Sequence, residues 1–277
     1  MNGLLLALGA SLAWGVADFV GPWQGRALGA LRVMLWAQVA GFSATLIVAG
    51  ARGEGPHDAA VLLAVPAALS ATLGLYAYYR GMAVGAMAVV APIAGASAVV
   101  PVAFGILGGD RPSGLQYAGI VCALVGVVLA SQEHQEGGRR RLAAGVGLAV
   151  VAAIGFGFYF PPMHAAGKAD PVWASTIFRF TACLVVLAAV LVRRPPVRLG
   201  GAKLAIVVGV GLGDTFGNFL YAAAANAGGP ESLTSVLASL YPIVTVLLAA
   251  VVLHERVAHV QALGVCLTLA GVVLISS

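Results

Sequence analysis

Along this chain, charged and strongly polar side chains punctuate long apolar stretches at intervals of about 20 residues. That is the length a helix needs to cross about 30 Å of hydrocarbon. Charges, Gly/Pro clusters and polar runs mark the breaks. Read this way, the pattern predicts ten transmembrane helices, at 3–22, 29–50, 59–80, 84–107, 114–132, 143–163, 171–192, 203–226, 232–253 and 258–276. The runs are continuous rather than alternating with period two, which predicts an all-α integral membrane fold and not a barrel. Together the spans use most of the chain and leave no water-soluble domain. Breaks as short as Gly81-Met82-Ala83 and Gly228-Gly229-Pro230 would turn neighbouring spans into antiparallel hairpins. The first positive charge is Arg26, so the first apolar run lacks the basic head of a cleaved leader and is read as a retained span.

The longest polar stretch, Gln132 to Arg141, falls almost at the midpoint of the chain. It suggests two halves, and a search for self-similarity supports them. Shifting the chain by 145 residues lays Gly126-Val127-Val128-Leu129-Ala130-Ser131 over Gly271-Val272-Val273-Leu274-Ile275-Ser276. The same shift lays Gly119 over Gly264, Asp110-Arg111 over Glu255-Arg256, and Leu75-Tyr76-Ala77 over Leu220-Tyr221-Ala222. Upstream, a slightly different offset matches Trp14-Gly15 to Phe156-Gly157 and Arg32 to Arg179. The predicted organisation is a first five-span repeat over 1–132, a polar linker over 133–142 and a second five-span repeat over 143–277. A unit with an odd number of spans, copied in one chain, must enter the bilayer in the opposite sense. Two inverted five-helix repeats are a recurrent architecture of secondary transporters.

Several features together resemble the drug/metabolite transporter superfamily, in its ten-span EamA-type branch. They are Trp14-Gly15 in span 1, an arginine in spans 2 and 7, and Tyr76 and Tyr221 in spans 3 and 8. Proline-containing spans 4 and 9 end in Gly109-Asp110-Arg111 and His254-Glu255-Arg256, and Gly-Val-Val-Leu closes spans 5 and 10. The resemblance covers essentially the whole chain. It implies export or exchange of a small solute, with amino acids, metabolites and drugs all among the family's substrates. Two departures stand out: the residues before each arginine are Gly-Asp and His-Glu, and Asp18 stands where many relatives carry a neutral polar residue.

Composition narrows the classes further. Charged residues make up 9% of the 277, against roughly 25% in soluble domains, too few to coat a water-soluble globule. Soluble enzymes, nucleic-acid binders and disordered scaffolds are thereby excluded. The partners expected are a small-molecule solute and the lipid bilayer, with the chain a monomer or weak homodimer and no nucleic acid bound. Three cysteines, Cys122, Cys183 and Cys266, lie in apolar runs without metal spacing. Loops after odd-numbered spans hold Arg26, Arg80, Arg139 to Arg141, Arg193, Arg194, Arg198, Lys203 and Arg256; the others hold only Arg52, Arg111 and Lys168. The positive-inside rule then places both termini on the outer side of the cell (inner) membrane.

Ionisable groups inside a bilayer cost roughly 2.5–3.5 kcal/mol at the helix centre on insertion scales, and are functional candidates by default. Four stand out: Asp18, Arg32, Arg179 and Asp214. Asp18 and Arg32 lie near the same membrane surface and could close the first hairpin as an ion pair. Asp214 lies near the middle of span 8 with Asn218 and Tyr221 on the same helical face. That stripe should line a cavity, where Asp214 could carry a coupled proton or meet a cationic group. Arg179 lies at a similar depth, so a structural pair with Asp214 stays open. Thr72, Tyr76 and Tyr79 form a second stripe in span 3, and Trp14, Tyr159 and Tyr241 add aromatic walls suited to a small amphipathic solute. Pro92, Pro101, Pro161 and Pro242 are candidate gating bends. Small residues at Gly209, Gly213 and Gly217 predict a close helix partner for span 8. No catalytic set, metal site or cofactor motif is present, so the chain reads as a secondary active transporter working by alternating access, and not as an enzyme. A membrane-embedded lipid-modifying enzyme and a passive channel stay as alternatives.

Overall fold

A computed structural model describes residues 2–84, 94, 96–130, 139–252 and 259–276. Pro92, most of the 133–142 linker and His254-Glu255-Arg256 lie outside the described residues. Every regular element among those described is helical. In chain order they are α1 (Asn2–Leu28), α2 (Ala30–Arg52), α3 (Ala64–Val84), α4 (Val99–Leu107), α5 (Gly114–Ala130) and α6 (Arg139–Gly157). Then come α7 (Phe160–Ala169), α8 (Pro171–Arg193), α9 (Gly201–Asn226), α10 (Glu231–Ala238), α11 (Tyr241–Val252) and α12 (His259–Ser276). Short 3-10 turns at Ala59–Leu63 and Ala96–Ala98 lead into α3 and α4.

Among the described residues, six stretches are long and apolar enough to cross a membrane: Asn2–Gly25, Ala30–Arg52, Ala59–Gly81, Gly147–Ala169, Pro171–Arg193 and Gly201–Asn226. Gly114–Leu129 and Ala262–Ile275 are shorter apolar helices. Three expected boundaries move. Helix α1 continues through Pro22 to Leu28, so Asp18 is about 15 Å from the helix end rather than near it. Helix α3 runs through Gly81-Met82-Ala83, where a turn was expected. The sixth expected span, 143–163, extends at its far end to Ala169, because Lys168 closes a helix end instead of starting a loop.

The expected bend prolines mostly begin helices. Pro101, Pro161 and Pro242 stand in the first turns of α4, α7 and α11. There a missing N–H removes no helical bond. The breaks they follow are real, at Phe158-Tyr159 and at Ser239-Leu240. Pro22 is the proline deep inside a helix.

Large apolar side chains such as Leu12, Ile47, Leu69, Leu107 and Phe216 are exposed, as a lipid-facing surface requires. Inside, buried residues form two cores. One gathers Trp14, Tyr159, Phe160, Tyr221, Leu237 and Ile275. The other gathers Val33, Met34, Tyr78, Tyr79, Val186 and Val207. Helix α1 packs on α9, α3 on α6, α2 on α8 and α5 on α12. Glycines permit these approaches. A Cβ on Gly155 of α6 would lie 2.6 Å from Gly74 Cα of α3, and one on Gly211 of α9 would lie 2.6 Å from Ala37 Cα of α2. On α9, Gly217 receives Trp14, whereas Gly209 meets nothing within 4 Å, so the expected small-residue stripe is used at one end only. Helices α5 and α12 touch through Gly119 against Gly271 and Gly126 against Gly264.

Hydrogen bonds between connecting segments define two ends. At one end, Arg52 Nη1 pairs with Asp170 at 2.9 Å, Trp173 Nε1 donates to Glu54 O at 3.0 Å, and Asn226 Nδ2 donates to Lys168 O at 3.0 Å. Asp110 Oδ2 accepts from Ser232 N at 2.8 Å, and Gln116 Nε2 donates to Ile275 O at 3.4 Å. At the other end, Trp36 Nε1 donates to Val197 O at 2.8 Å and Arg32 Nε donates to Pro196 O. Burial opposes ionisation of Asp170, yet donation from Arg52 and from the Trp173 and Val172 N–H groups outweighs it and holds the carboxyl below its usual range. Burial, with Asp110 nearby, pushes the Glu231 carboxyl up to about 7, against an opposing pull from Lys168.

Candidate functional site

The two cores leave a cavity between them. Its volume is about 70 Å³, and its walls carry Trp14 and Asp18 of α1, Gln38 of α2, Thr72 of α3, Tyr159, and Asp214 and Asn218 of α9. Phe156, Phe160, Phe178 and Tyr241 complete an aromatic lining. At roughly 30 Å³ per water this space holds about two waters. A pocket for a small molecule is several times larger, commonly 300–1,000 Å³, so a solute requires the cavity to widen.

Arg179 is the electrostatic centre. Its side chain is 0% exposed, and its Nη1 lies 2.8 Å from Asp214 Oδ2, whose side chain is 29% exposed. The same Nη1 donates to Gln38 Oε1 at 2.8 Å. Nε and Nη2 have no hydrogen-bond partner among the described residues. Gly41 of α2 makes the placement possible: a Cβ there would strike Thr215 Oγ1 and lie 3.1 Å from Arg179 Cδ. The pair is therefore seated where α2, α8 and α9 meet.

A polar chain runs from the pair along α9. Asn218 Nδ2 donates to the Asp214 carbonyl at 2.8 Å, and Tyr159 Oη donates to Asn218 Oδ1 at 2.7 Å. Trp14 Nε1 donates to the Asp214 carbonyl at 3.3 Å. The Trp14 ring stands edge-on to Tyr159 at 5.8 Å and to Tyr241 at 6.5 Å between centroids. Asn218 thereby fixes Tyr159, and Trp14 is held on the backbone of the same helical turn.

A model of the EamA-like transporter family matches residues 1–132 and 143–277. The chain belongs to the EamA-like transporter family. No curated protein matches it. One solved structure, described as "Crystal structure of protein", superposes with a TM-score of 0.80 at 18% identity, covering 98% of this chain and 95% of that one. At that identity the likeness speaks for the fold alone. Family membership and the apolar helices make this a multi-pass membrane protein whose family carries small solutes; the family's members are transporters rather than enzymes.

Within this EamA-like transporter, the structure brings together Trp14, Asp18, Tyr159, Asp214, Asn218 and Tyr241 at one cavity. Three expected tyrosines fall outside it. Tyr221 is 0% exposed, bonded to Ser235 Oγ at 2.7 Å, and packed edge-on against Phe160 at 5.2 Å. It stands seven residues beyond Asp214, about 10 Å further along α9 and past the cavity. Tyr79 is displaced likewise along α3 and lies against Gly21 and Gly25 of α1. Tyr76 packs beside the second core. Tyr76 and Tyr221, expected to face one shared space, are not among the residues that line this cavity. Arg32 does not pair with Asp18; its Nε donates to the Pro196 carbonyl, because the extra helical turns of α1 carry Asp18 away from that surface. The alternative left open for Arg179 and Asp214, an ion pair, is present, and Asp214 also faces the cavity.

Sequence reasoning passed over Gln38, 3% exposed and bonded to Arg179. Its signal was available: it is the one amide in the 30–52 apolar run. Phe156, Phe160 and Phe178 carried no comparable signal, since phenylalanine is ordinary in any membrane helix.

Proposed function

We propose that this protein is a secondary active transporter that exports or exchanges a small amphipathic metabolite by alternating access. Its ten spans are organised as inverted repeats over 1–132 and 143–277. The observation that carries the reading is the charged, aromatic cavity held between two packed cores, with walls drawn from both halves. A carrier needs one site and two closures, and each core is suited to be one of them. Repeat symmetry is supported by the seam of α5 and α12. Under the 145-residue shift Gly119 corresponds to Gly264 and Gly126 to Gly271, and the observed contacts are Gly119 with Gly271 and Gly126 with Gly264. A two-fold axis exchanges one contact for the other. The packing of α1 on α9 has its counterpart in that of α3 on α6. Tyr221, Met163 and Leu237, all fully buried in the first core, favour a carrier over an open channel.

The test is solute flux in proteoliposomes under an imposed concentration gradient. A carrier gives saturable uptake and counterflow, in which unlabelled solute on one side drives labelled solute against its own gradient. Flux linear in concentration, without counterflow, would overturn the reading in favour of a channel. Loss of saturable flux in Asn218→Ala protein that melts normally would assign the polar chain from Asp214 to Tyr159 to the transport site.

A further inference from the structure

The cavity holds one carboxyl group more than it pairs. Asp18 and Asp214 both line it, and Arg179 pairs with Asp214. Asp18 has no ion pair or hydrogen bond among the described residues, and no cation lines the cavity beside it. The cavity it lines also carries the rings of Trp14, Tyr159, Phe156, Phe160, Phe178 and Tyr241. Backbone chemistry adds to the imbalance. In a helix the carbonyl of residue 18 accepts from the N–H of residue 22, and residue 22 is proline inside α1. The turn carrying this carboxyl group therefore lacks the i+4 N–H that an ordinary helical turn supplies to residue 18.

Resting on the carrier reading, we propose that the solute is a small organic ammonium ion bearing an aromatic or other apolar group. Asp18 is its counter-charge and the aromatic walls are its cage. The chemistry selects each part. A carboxylate in a low-dielectric site calls for a positive partner. Ring faces attract a cation within about 6 Å of their centroids. An ammonium with N–H donors can pair with the carboxylate while its carbon skeleton lies against the ring faces. The Arg179–Asp214 pair is then the fixed neutral element of the site, and Asp18 is the variable one. A free anion is disfavoured, because no cation among the lining residues offers it a positive partner.

Binding to the purified protein in nanodiscs separates this proposal from the carrier reading, since it needs no flux. The probes are phenethylammonium, the anion 3-phenylpropionate and the neutral 2-phenylethanol, titrated calorimetrically. Phenethylammonium is expected to bind and the other two to bind at least about tenfold more weakly. Asp18→Asn should weaken the ammonium about tenfold or more while leaving the unliganded melting temperature in place, and Asp18→Glu should restore binding. Equal binding of the anion, unchanged affinity in Asp18→Asn, or no binding of the cation overturns the proposal; the anion comparison uses wild-type protein and stands whether or not a variant folds. If the cation binds through Asp18 but liposomes show no saturable flux, the carrier reading falls and the site remains. If saturable flux is found for other solutes while the cation does not bind, the carrier reading stands and this proposal falls.

Discussion

Asp214 and Asp18 face the same cavity from neighbouring helices, and they are differently committed. Asp214 neutralises a guanidinium that has no access to solvent. Removing the carboxylate strands that charge, and breaking a buried pair typically costs about 3–5 kcal/mol. Asp214→Asn is therefore expected to melt at a clearly lower temperature, while Arg179→Met combined with Asp214→Asn recovers much of the loss. Equal melting of the single and double variants would contradict the pairing. Glu231 makes a separate prediction. Its carboxyl rises from the ordinary 4.5 to about 7, so the folded state holds a proton that the unfolded state releases. The stability this contributes is complete below about pH 4.5 and is lost as pH climbs through 7. Glu231→Gln, which mimics the protonated form, should flatten the decline of melting temperature across that window. Parallel profiles for wild type and variant would rule this out.

Helical elements were legible in the sequence as faces more than as depths. Asp214 and Asn218, put on one face of α9 by the i, i+4, i+7 spacing, both line the cavity. It could not say that Tyr221, on the same face, lies past the cavity in packed protein. Tyr79 on α3 is likewise not among the lining residues, since periodicity fixes an angle around the axis and carries no information on where a cavity ends. Element ends were misjudged where a proline or charge looked like punctuation: α1 passes through Pro22, and α7 extends to Lys168 and Ala169. Caps and close approaches supply two tests at this scale. Asp170 accepts from the N–H groups of Val172 and Trp173 at the start of α8, so Asp170→Ala should destabilise by about 0.5–2 kcal/mol, read by thermal unfolding. Arg52 contributes little beyond this cap, because its side chain is 37% exposed. Gly155→Leu would drive a side chain into Gly74 of α3 and should cost more than the about 1–3 kcal/mol of ordinary overpacking. A Gly155→Leu protein that melts like wild type would show that α3 and α6 do not depend on this approach.

At the scale of the whole molecule, composition and the spacing of apolar runs carried the class of fold, and the family match agrees with it. Which helices meet was not legible, because backbone-to-backbone contacts through glycine leave no hydrophobic pattern. The loop hydrogen bonds place the 52–58, 108–113, 168–170 and 226–231 segments at one end, and the 193–198 segment with its arginines at the other. Joined to the positive-inside rule, this predicts that Gly228→Cys reacts with an impermeant thiol reagent in intact cells and Gly200→Cys does not, in a background lacking Cys122, Cys183 and Cys266. The reverse labelling would invert the orientation. The glycine seam of α5 and α12 has a consequence of another kind. The proposed halves are joined by main chain pressed on main chain at Gly119, Gly126, Gly264 and Gly271, and α1 on α9, α2 on α8 and α3 on α6 cross the same divide. Each half thus completes its packing against the other. Two polypeptides ending at 132 and beginning at 143, made together in one cell, should find each other in the bilayer and co-purify as a pair. Each made alone should be degraded, so that a tie of covalent chain becomes dispensable once the two surfaces meet.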